Sequence, residues 1–251
     1  MNIGIITGAS SGLGREFLRS APEVYPEIDE FWIVARNKAA LEDAAKDCRA
    51  KVRVLALDLT ADESIDSLKS ELDEANGKVK LLINNSGCGF LGDFAVSNIM
   101  NQSLMIDLNI RSLTLVTRTV LPYMSEGSAI LNVSSIASFC PNARMTVYSS
   151  TKAYVTSFSR GLAYELKARK INVCVVCPGP MDTAFLTRGD IKGKSKTFDT
   201  LPYCKVDKTA KGALNAVKKG KSVYTPTLFF KFYRFLAKIL PHSIVIPLAK
   251  T

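Results

Sequence analysis

The sequence predicts an α/β fold: a doubly wound, Rossmann-type parallel sheet with helices on both faces, in a single domain. Short apolar, β-rich runs alternate with longer helical patterns along most of the chain, and the runs are apolar at consecutive positions, not every second one. A strand apolar on both sides must be covered on both sides, which a parallel sheet with helical crossovers achieves. At 251 residues and 47% hydrophobic content, the chain also suffices for one sizeable core. Right-handed crossovers then place a ligand at the C-terminal strand ends, beside the point where the winding reverses.

The elements follow in order. Strands are expected at residues 2–6, 31–35, 52–57, 81–83, 129–133, 171–176 and 222–224. A helix opens after the first strand, and further helices are expected at 38–48, 62–75, 98–124 and 147–168. Pro22 and Pro26 predict a long, irregular connection into the second strand. There is no internal repeat, low-complexity segment or linker, so residues 1–226 read as one domain and 227–251 as an apolar C-terminal extension. In that extension Leu228, Phe229, Phe230, Phe232, Tyr233, Phe235, Leu236, Ile239 and Leu240 accompany Lys231, Arg234 and Lys238 on one helix face, Pro241 interrupts any helix, and residues 244–248 are again apolar. Neither half reaches the ~20 apolar residues of a membrane span. The extension either packs on the domain or a second subunit, or lies on a membrane as a basic amphipathic helix.

Composition narrows the chemistry. The net charge is +10, yet there is no long basic run, zinc-finger spacing or RNA-binding aromatic signature, so nucleic acid is not an expected partner. His242 is the one histidine, which excludes a histidine-based triad or a His-ligated metal site as the centre of the chemistry. Six cysteines lack framework spacing and no signal-peptide pattern opens the chain, so a cytoplasmic protein with free thiols is expected. Cys174 and Cys177 form a C-x-x-C but fall in and at the end of an apolar β-branched run, where core cysteines are expected.

Thr7-Gly-Ala-Ser-Ser-Gly-Leu-Gly14 follows the first strand and opens a helix. Gly8, Gly12 and Gly14 allow backbone conformations and close approaches that a Cβ would block, and N–H groups at the helix start attract a pyrophosphate. The second strand ends in Ala35-Arg36-Asn37, with no acid to grip ribose hydroxyls. Arg36 can instead pair with a 2′-phosphate, which favours NADP.

Tyr148 and Lys152 are four apart on an expected helix and so share a face. A phenol titrates near ~10, too high for a base at neutral pH. A neighbouring ammonium and a positive nicotinamide ring favour phenolate, so Tyr148 can donate a proton to a carbonyl oxygen or take one from an alcohol. Asn132-Val-Ser-Ser135 ends the preceding strand, bringing Ser135 to the same oxygen as an oxyanion donor. Asn84-Asn-Ser-Gly87 ends the fourth strand, Asn109 lies mid-helix where asparagine is a poor helix former, and Pro178-Gly-Pro-Met-Asp-Thr183 ends the sixth strand.

With these motifs in this order, residues 2 to about 225 resemble the short-chain dehydrogenase/reductase family, of NADP type and similar to hydroxysteroid dehydrogenases and ketoacyl reductases. The resemblance implies a catalytic tetrad of Tyr148, Lys152, Ser135 and Asn109, with Asn109 holding a water that relays protons to Lys152. It implies cofactor contacts from Gly8, Ser10, Ser11, Gly12, Leu13 and Gly14 in the turn, and from Arg36, Asp58 and Leu59 around the adenosine. Asn85, Ser86 and Gly87 would continue the seat, with Ser86 standing where the family usually has alanine. Lys152 would hold the nicotinamide ribose, Pro178, Gly179 and Met181 would border the ring, and Thr183 would anchor the carboxamide. A homodimer or homotetramer is implied as well.

The expected function is NADP(H)-dependent interconversion of a ketone and a secondary alcohol. The stretch 184–202, with Phe185, Leu186, Phe198 and Leu201, favours a lipophilic substrate such as a steroid or acyl chain. Lys192, Lys194 and Lys196 in the same stretch keep a 3-oxoacyl thioester on a phosphorylated carrier open. A non-catalytic NADP-binding regulator is the alternative from another class.

Overall fold

The computed structural model describes residues 1–249 and 251. Seven strands form one sheet: β1 (Asn2–Thr7), β2 (Glu30–Ala35), β3 (Lys51–Ala56), β4 (Lys78–Asn84), β5 (Met124–Val133), β6 (Asn172–Val176) and β7 (Val223–Tyr224). All pairs are parallel and their order is β3-β2-β1-β4-β5-β6-β7. The winding therefore reverses between β1 and β4, where a crevice opens beyond Thr7 and Asn84.

Alternate strand residues feed two separate cores. On one face Ile33, Leu81, Ile83 and Leu131 pack with Phe17 and Leu18 of α1 (Gly12–Val24). On the other, Trp32, Val34, Leu82 and Ile130 pack with α3 (Asp62–Ala75), α5 (Ser112–Val120) and α6 (Thr146–Glu165), after α2 (Lys38–Ala45) and α4 (Ile99–Ile106) in chain order. Both faces being dry explains the continuous apolar runs of the sequence. The remaining helices are α7 (Ala184–Arg188), α8 (Lys196–Thr200), α9 (Val206–Lys218), α10 (Leu228–Ile239) and α11 (His242–Ala249). Cys174 and Cys177 are fully buried and unbridged, as core cysteines should be.

Three local features differ from the sequence expectation. The span 98–124 is not one helix: a π-helical turn at Asp107–Arg111 separates α4 from α5, and a 3₁₀ turn at Leu121–Tyr123, containing Pro122, leads into β5. Pro22 lies inside the last turn of α1, so the irregular connection begins at Tyr25, whose N–H still reaches Ala21 O at 2.8 Å. The helix α9 has no counterpart among the expected stretches. Its buried face, Thr209, Ala210, Ala213, Leu214, Ala216 and Val217, recurs at helical spacing between lysines, and its small side chains suit close packing on α1.

Candidate active site

The crevice is first closed by backbone. Gly8 and Gly12 adopt φ of 67° and 54°, in the left-handed region that disfavours a side chain. Thr7 Oγ1 accepts the N–H groups of Asn85 at 2.9 Å and Ser86 at 3.0 Å, and Asn85 Nδ2 donates to Thr7 O and Gly8 O, both at 3.1 Å. These bonds stitch the end of β1 to the end of β4 and hold the turn open. A Cβ on Gly14 would lie 2.1 Å from Gly8 O, so Gly14 lets α1 seat against the turn without itself facing the cleft. Beyond β2, Asn37 caps α2 by accepting Ala40 N–H at 3.0 Å, while Arg36 is largely exposed and only loosely paired with Asp58, at 4.0 Å. No carboxylate stands at the end of β2.

Below the turn, a buried polar ladder fixes the strand ends. Asn84 Nδ2 donates to Thr117 Oγ1 at 2.9 Å and Asn132 Oδ1 at 2.8 Å, and Asn132 Nδ2 donates to Ser159 Oγ at 2.9 Å. Paired amides buried in this way define the register of β4, β5, α5 and α6. Ser134 Oγ then donates to Lys152 O at 2.8 Å, which fastens α6 beside the end of β5.

Tyr148 and Lys152 project from α6 and are both buried. Lys152 Nζ donates to Val133 O at 3.0 Å and lies 5.8 Å from the Tyr148 ring centroid. Ser135 Oγ accepts Ala137 N–H at 3.1 Å, which leaves its own O–H to donate elsewhere. Asn109 sits on the π-helical turn and is 1% exposed. Its Oδ1 accepts Cys88 N–H at 2.9 Å, and its Nδ2 donates to Cys88 O at 2.8 Å and Thr151 Oγ1 at 3.0 Å. Asn109 thus clamps the strand-end loop to α6 from behind the cleft. Gly87 makes room for the cluster, since a Cβ there would lie 2.9 Å from Asn109 Oδ1 and 3.4 Å from Lys152 Nζ.

Electrostatics in this state oppose the expectation that Lys152 lowers the tyrosine. Burial pushes the Tyr148 phenol up to about 12, with the Ser135 hydroxyl acting in the other direction. Burial likewise pushes Lys152 down to about 8. Desolvation dominates both groups because the charged form of each loses water without gaining a full counter-charge.

A cleft of about 730 Å³ joins these parts. One end is lined by Gly8, Ser10, Ser11, Gly12 and Leu13, together with Arg36, Asp58 and Leu59. The middle is lined by Asn85, Ser86 and Gly87, by Ser135, Tyr148 and Lys152, and by Pro178, Gly179, Met181 and Thr183. Every expected site residue except Gly14 and Asn109 therefore faces the cleft. Its size lies within the usual range for ligand sites, roughly 300–1,000 Å³. The glycine cradle, the N–H-rich start of α1 and Arg36 at the far end fit an extended dinucleotide.

The other end is apolar and was only partly anticipated. Phe185 and Leu186 belong to the expected stretch, but Phe90, Leu104, Tyr233, Leu240 and Val245 also line it. Gly89 is needed there: a Cβ would lie 2.8 Å from both Phe185 and Tyr148, whose rings pack at 5.7 Å. The sequence offered one signal, a glycine two residues after the Asn-Asn-Ser-Gly run. The side chain of Lys196 lies outside the described residues.

The comparisons agree with this geometry. The family described as short chain dehydrogenase matches residues 2–191. Sulfoacetaldehyde reductase 2 of Chromohalobacter salexigens is 33% identical over 214 residues, covering 80% of this chain and 82% of that protein. A short-chain dehydrogenase from Sphingobium yanoikuyae, solved in complex with NADPH, superposes with a TM-score of 0.78 at 26% identity, covering 96% of both chains. The 3-ketoacyl-(acyl-carrier-protein) reductase of Brucella melitensis, complexed with NADH, gives 0.76 at 25% identity, covering 90% of this chain and 96% of that one. The chain belongs to the short-chain dehydrogenase family. It is an oxidoreductase acting on a CH–OH or C=O group with a nicotinamide cofactor.

Proposed function

We propose that the protein interconverts a lipophilic ketone and its secondary alcohol with NADP(H). The carrying observation is the position of Tyr148 and Lys152, buried where the dinucleotide-shaped arm of the cleft meets its apolar end. The bound cofactor supplies or accepts the hydride. Tyr148 donates its phenolic proton to the carbonyl oxygen in reduction and takes one back in oxidation. Ser135, with its hydroxyl oxygen already accepting Ala137 N–H, donates to the same oxygen. Lys152 holds the nicotinamide ribose and, as ammonium, favours the phenolate. Asn109 positions the Cys88 backbone and α6, and, as in the family it resembles, would hold a water that relays protons to Lys152.

NADP preference is supported by Arg36, free to turn onto a 2′-phosphate, and by Asn37, whose side chain caps a helix where an acid would otherwise select NAD. Support for a neutral, lipophilic substrate comes from the lysines of the substrate stretch. Lys192 pairs with Asp182 at 3.3 Å and Lys194 with Asp190 at 2.6 Å, so the charge of each is partly offset by an exposed carboxylate. A 3-oxoacyl thioester is the second reading, favoured by Arg188, which lines the cleft and has no ion pair among the described residues. A non-catalytic NADP-binding regulator is disfavoured because Tyr148, Lys152, Ser135 and Asn109 are all present and assembled. The proposal extends to a cytoplasmic homodimer or homotetramer, built from a domain of residues 1–226 and an extension, 227–251, that walls the substrate end.

The test is NADPH and NADH oxidation over steroid-like ketones, 3-oxoacyl thioesters and a small sulfonated aldehyde. Turnover confined to the thioesters or the aldehyde overturns the lipophilic assignment. Turnover undiminished in Tyr148→Phe overturns the mechanism.

A further inference from the structure

The helix α10 presents two faces, and only one is used by the fold. Phe230 is fully buried against Gly179, where a Cβ would lie 2.1 Å from its ring, and Ala237 is buried one face-repeat later. The opposite face leaves Leu228, Phe232, Phe235 and Ile239 exposed by 81, 61, 60 and 59%. At 3.6 residues per turn these four positions form one stripe.

The order of residues around the helix is the informative point. From buried Phe230, one direction leads through Tyr233, Phe229 and Leu236, which line the cleft, and on to Phe232 and Ile239 without a polar position intervening. Phe229 marks the junction, since it lines the cleft and is still 53% exposed. The other direction from Phe230 passes Arg234, Lys238 and Lys231 before reaching Phe235. Apolar surface thus runs unbroken from the cleft to the outside, with the cations gathered on the far flank.

We propose that this outer face of α10 docks on an anionic lipid bilayer, with the apolar end of the cleft opening toward it, so that the substrate enters from the lipid. The proposal rests on the lipophilic-ketone reading for its substrate, but not for its docking. Charge selects the occupant: α10 carries Lys231, Arg234 and Lys238 and no acidic residue, all three on the flank beside the exposed apolar stripe. Among the described residues, Lys231, Arg234 and Lys238 make no ion pair. A second copy applied through the same face would oppose these cations to themselves, whereas anionic headgroups neutralise them. No helix among the described residues is long and apolar enough to cross a membrane, so α10 lies in the interface plane.

The experiment uses the full chain with phosphatidylcholine vesicles, with and without phosphatidylglycerol. Co-flotation is expected with the anionic vesicles only. Lys231→Gln/Lys238→Gln should weaken it about 30-fold, from roughly 1 kcal/mol per basic residue near the surface. Phe232→Ser/Phe235→Ser should abolish it, and neither residue lines the cleft. Vesicles should lower the KM of the wild type, but not of the phenylalanine variant, for a ketone that partitions into lipid. A water-soluble ketone should show the same KM in both proteins. Failure of the full chain to float, or undiminished flotation of the phenylalanine variant, overturns docking. So does a wild type that is oligomeric only while Phe232 and Phe235 are intact, which assigns the face to a second copy. Vesicle-independent KM values overturn delivery from the bilayer. If no ketone is turned over, the functional reading fails, and flotation still decides the docking.

Discussion

One end of the cleft is lined by backbone that the Thr7 and Asn85 side chains tie across two strand ends, whereas the other end is walled by apolar side chains from several separate elements. At the first, Thr7, Gly8, Asn85 and Ser86 are fixed by four hydrogen bonds between the ends of β1 and β4, and Gly8 N–H reaches Val34 O of β2 at 2.7 Å. At the second, Phe90, Leu104, Phe185, Tyr233 and Leu240 share the wall. A site made of main-chain donors and glycines accepts few sequences, because φ values and Cβ clearances are strict. Apolar walls accept many, since any combination of about the right volume can work. Under the proposed function, sequence change is expected to be tolerated less at the cofactor end than at the substrate end, with Tyr148 at the boundary between them.

The sharpest test of that boundary is Tyr148→Phe. The loss of proton transfer should lower kcat by about 10²–10⁴-fold while leaving cofactor affinity nearly intact. With the phenol held up at about 12 before the cofactor binds, alcohol oxidation should quicken as pH rises from neutral, whereas ketone reduction, which uses the neutral phenol, should stay flat. Initial rates in the two directions across pH check this. Equal pH slopes would place the proton on another group.

Next in size is Arg36→Ala, which tests the cofactor end alone. Losing a charged contact of about 1.5–3 kcal/mol should reduce kcat/KM for NADPH about 10- to 100-fold and leave NADH little changed. A parallel loss with both cofactors would break the assignment of Arg36 to the phosphate.

Gly179→Ala tests whether the two ends are mechanically joined. The new Cβ meets the buried ring of Phe230, and overpacking of this kind destabilises by about 1–3 kcal/mol. The displaced α10 should raise KM for the ketone more than for the cofactor, in steady-state kinetics paired with thermal melts.

The smallest expected effect concerns stability. Lys152 is a lysine whose folded-state pKa is lowered to about 8, so the unfolded chain binds more protons between that value and the ordinary 10.5, and stability rises with pH there. Below about 8 the cofactor-free protein carries a buried ammonium. Lys152→Met should therefore melt a few degrees higher at neutral pH without cofactor, the gain shrinking as pH rises through that window. Calorimetry with no cofactor present measures it, and a lower melting temperature would contradict the burial argument.

Much of the cofactor end was legible because its determinants are local in sequence: a strand, a glycine turn and a helix start within residues 2–14. The Tyr148–Lys152 spacing and the strand ends at Asn84 and Asn132 were legible for the same reason. Less visible was the π-helical turn that carries Asn109, because an inserted residue leaves no compositional mark. The wall contributed by Tyr233 was not legible, and Gly89 was marked only as a glycine after the Asn-Asn-Ser-Gly run, since each matters through what it faces. The sequence alone determined the parallel doubly wound sheet and singled out the glycine turn and the Tyr148–Lys152 pair as the proposed cofactor seat and proton-transfer group, through periodicity, backbone sterics and spacing along one element. Only the tertiary structure decided that Asn109 lies behind the cleft, that burial raises the Tyr148 phenol against the pull of the Ser135 hydroxyl, and that α10 carries apolar surface from the cleft to the outside. Desolvation and packing depend on neighbours far away in the chain, and those neighbours meet only when it folds.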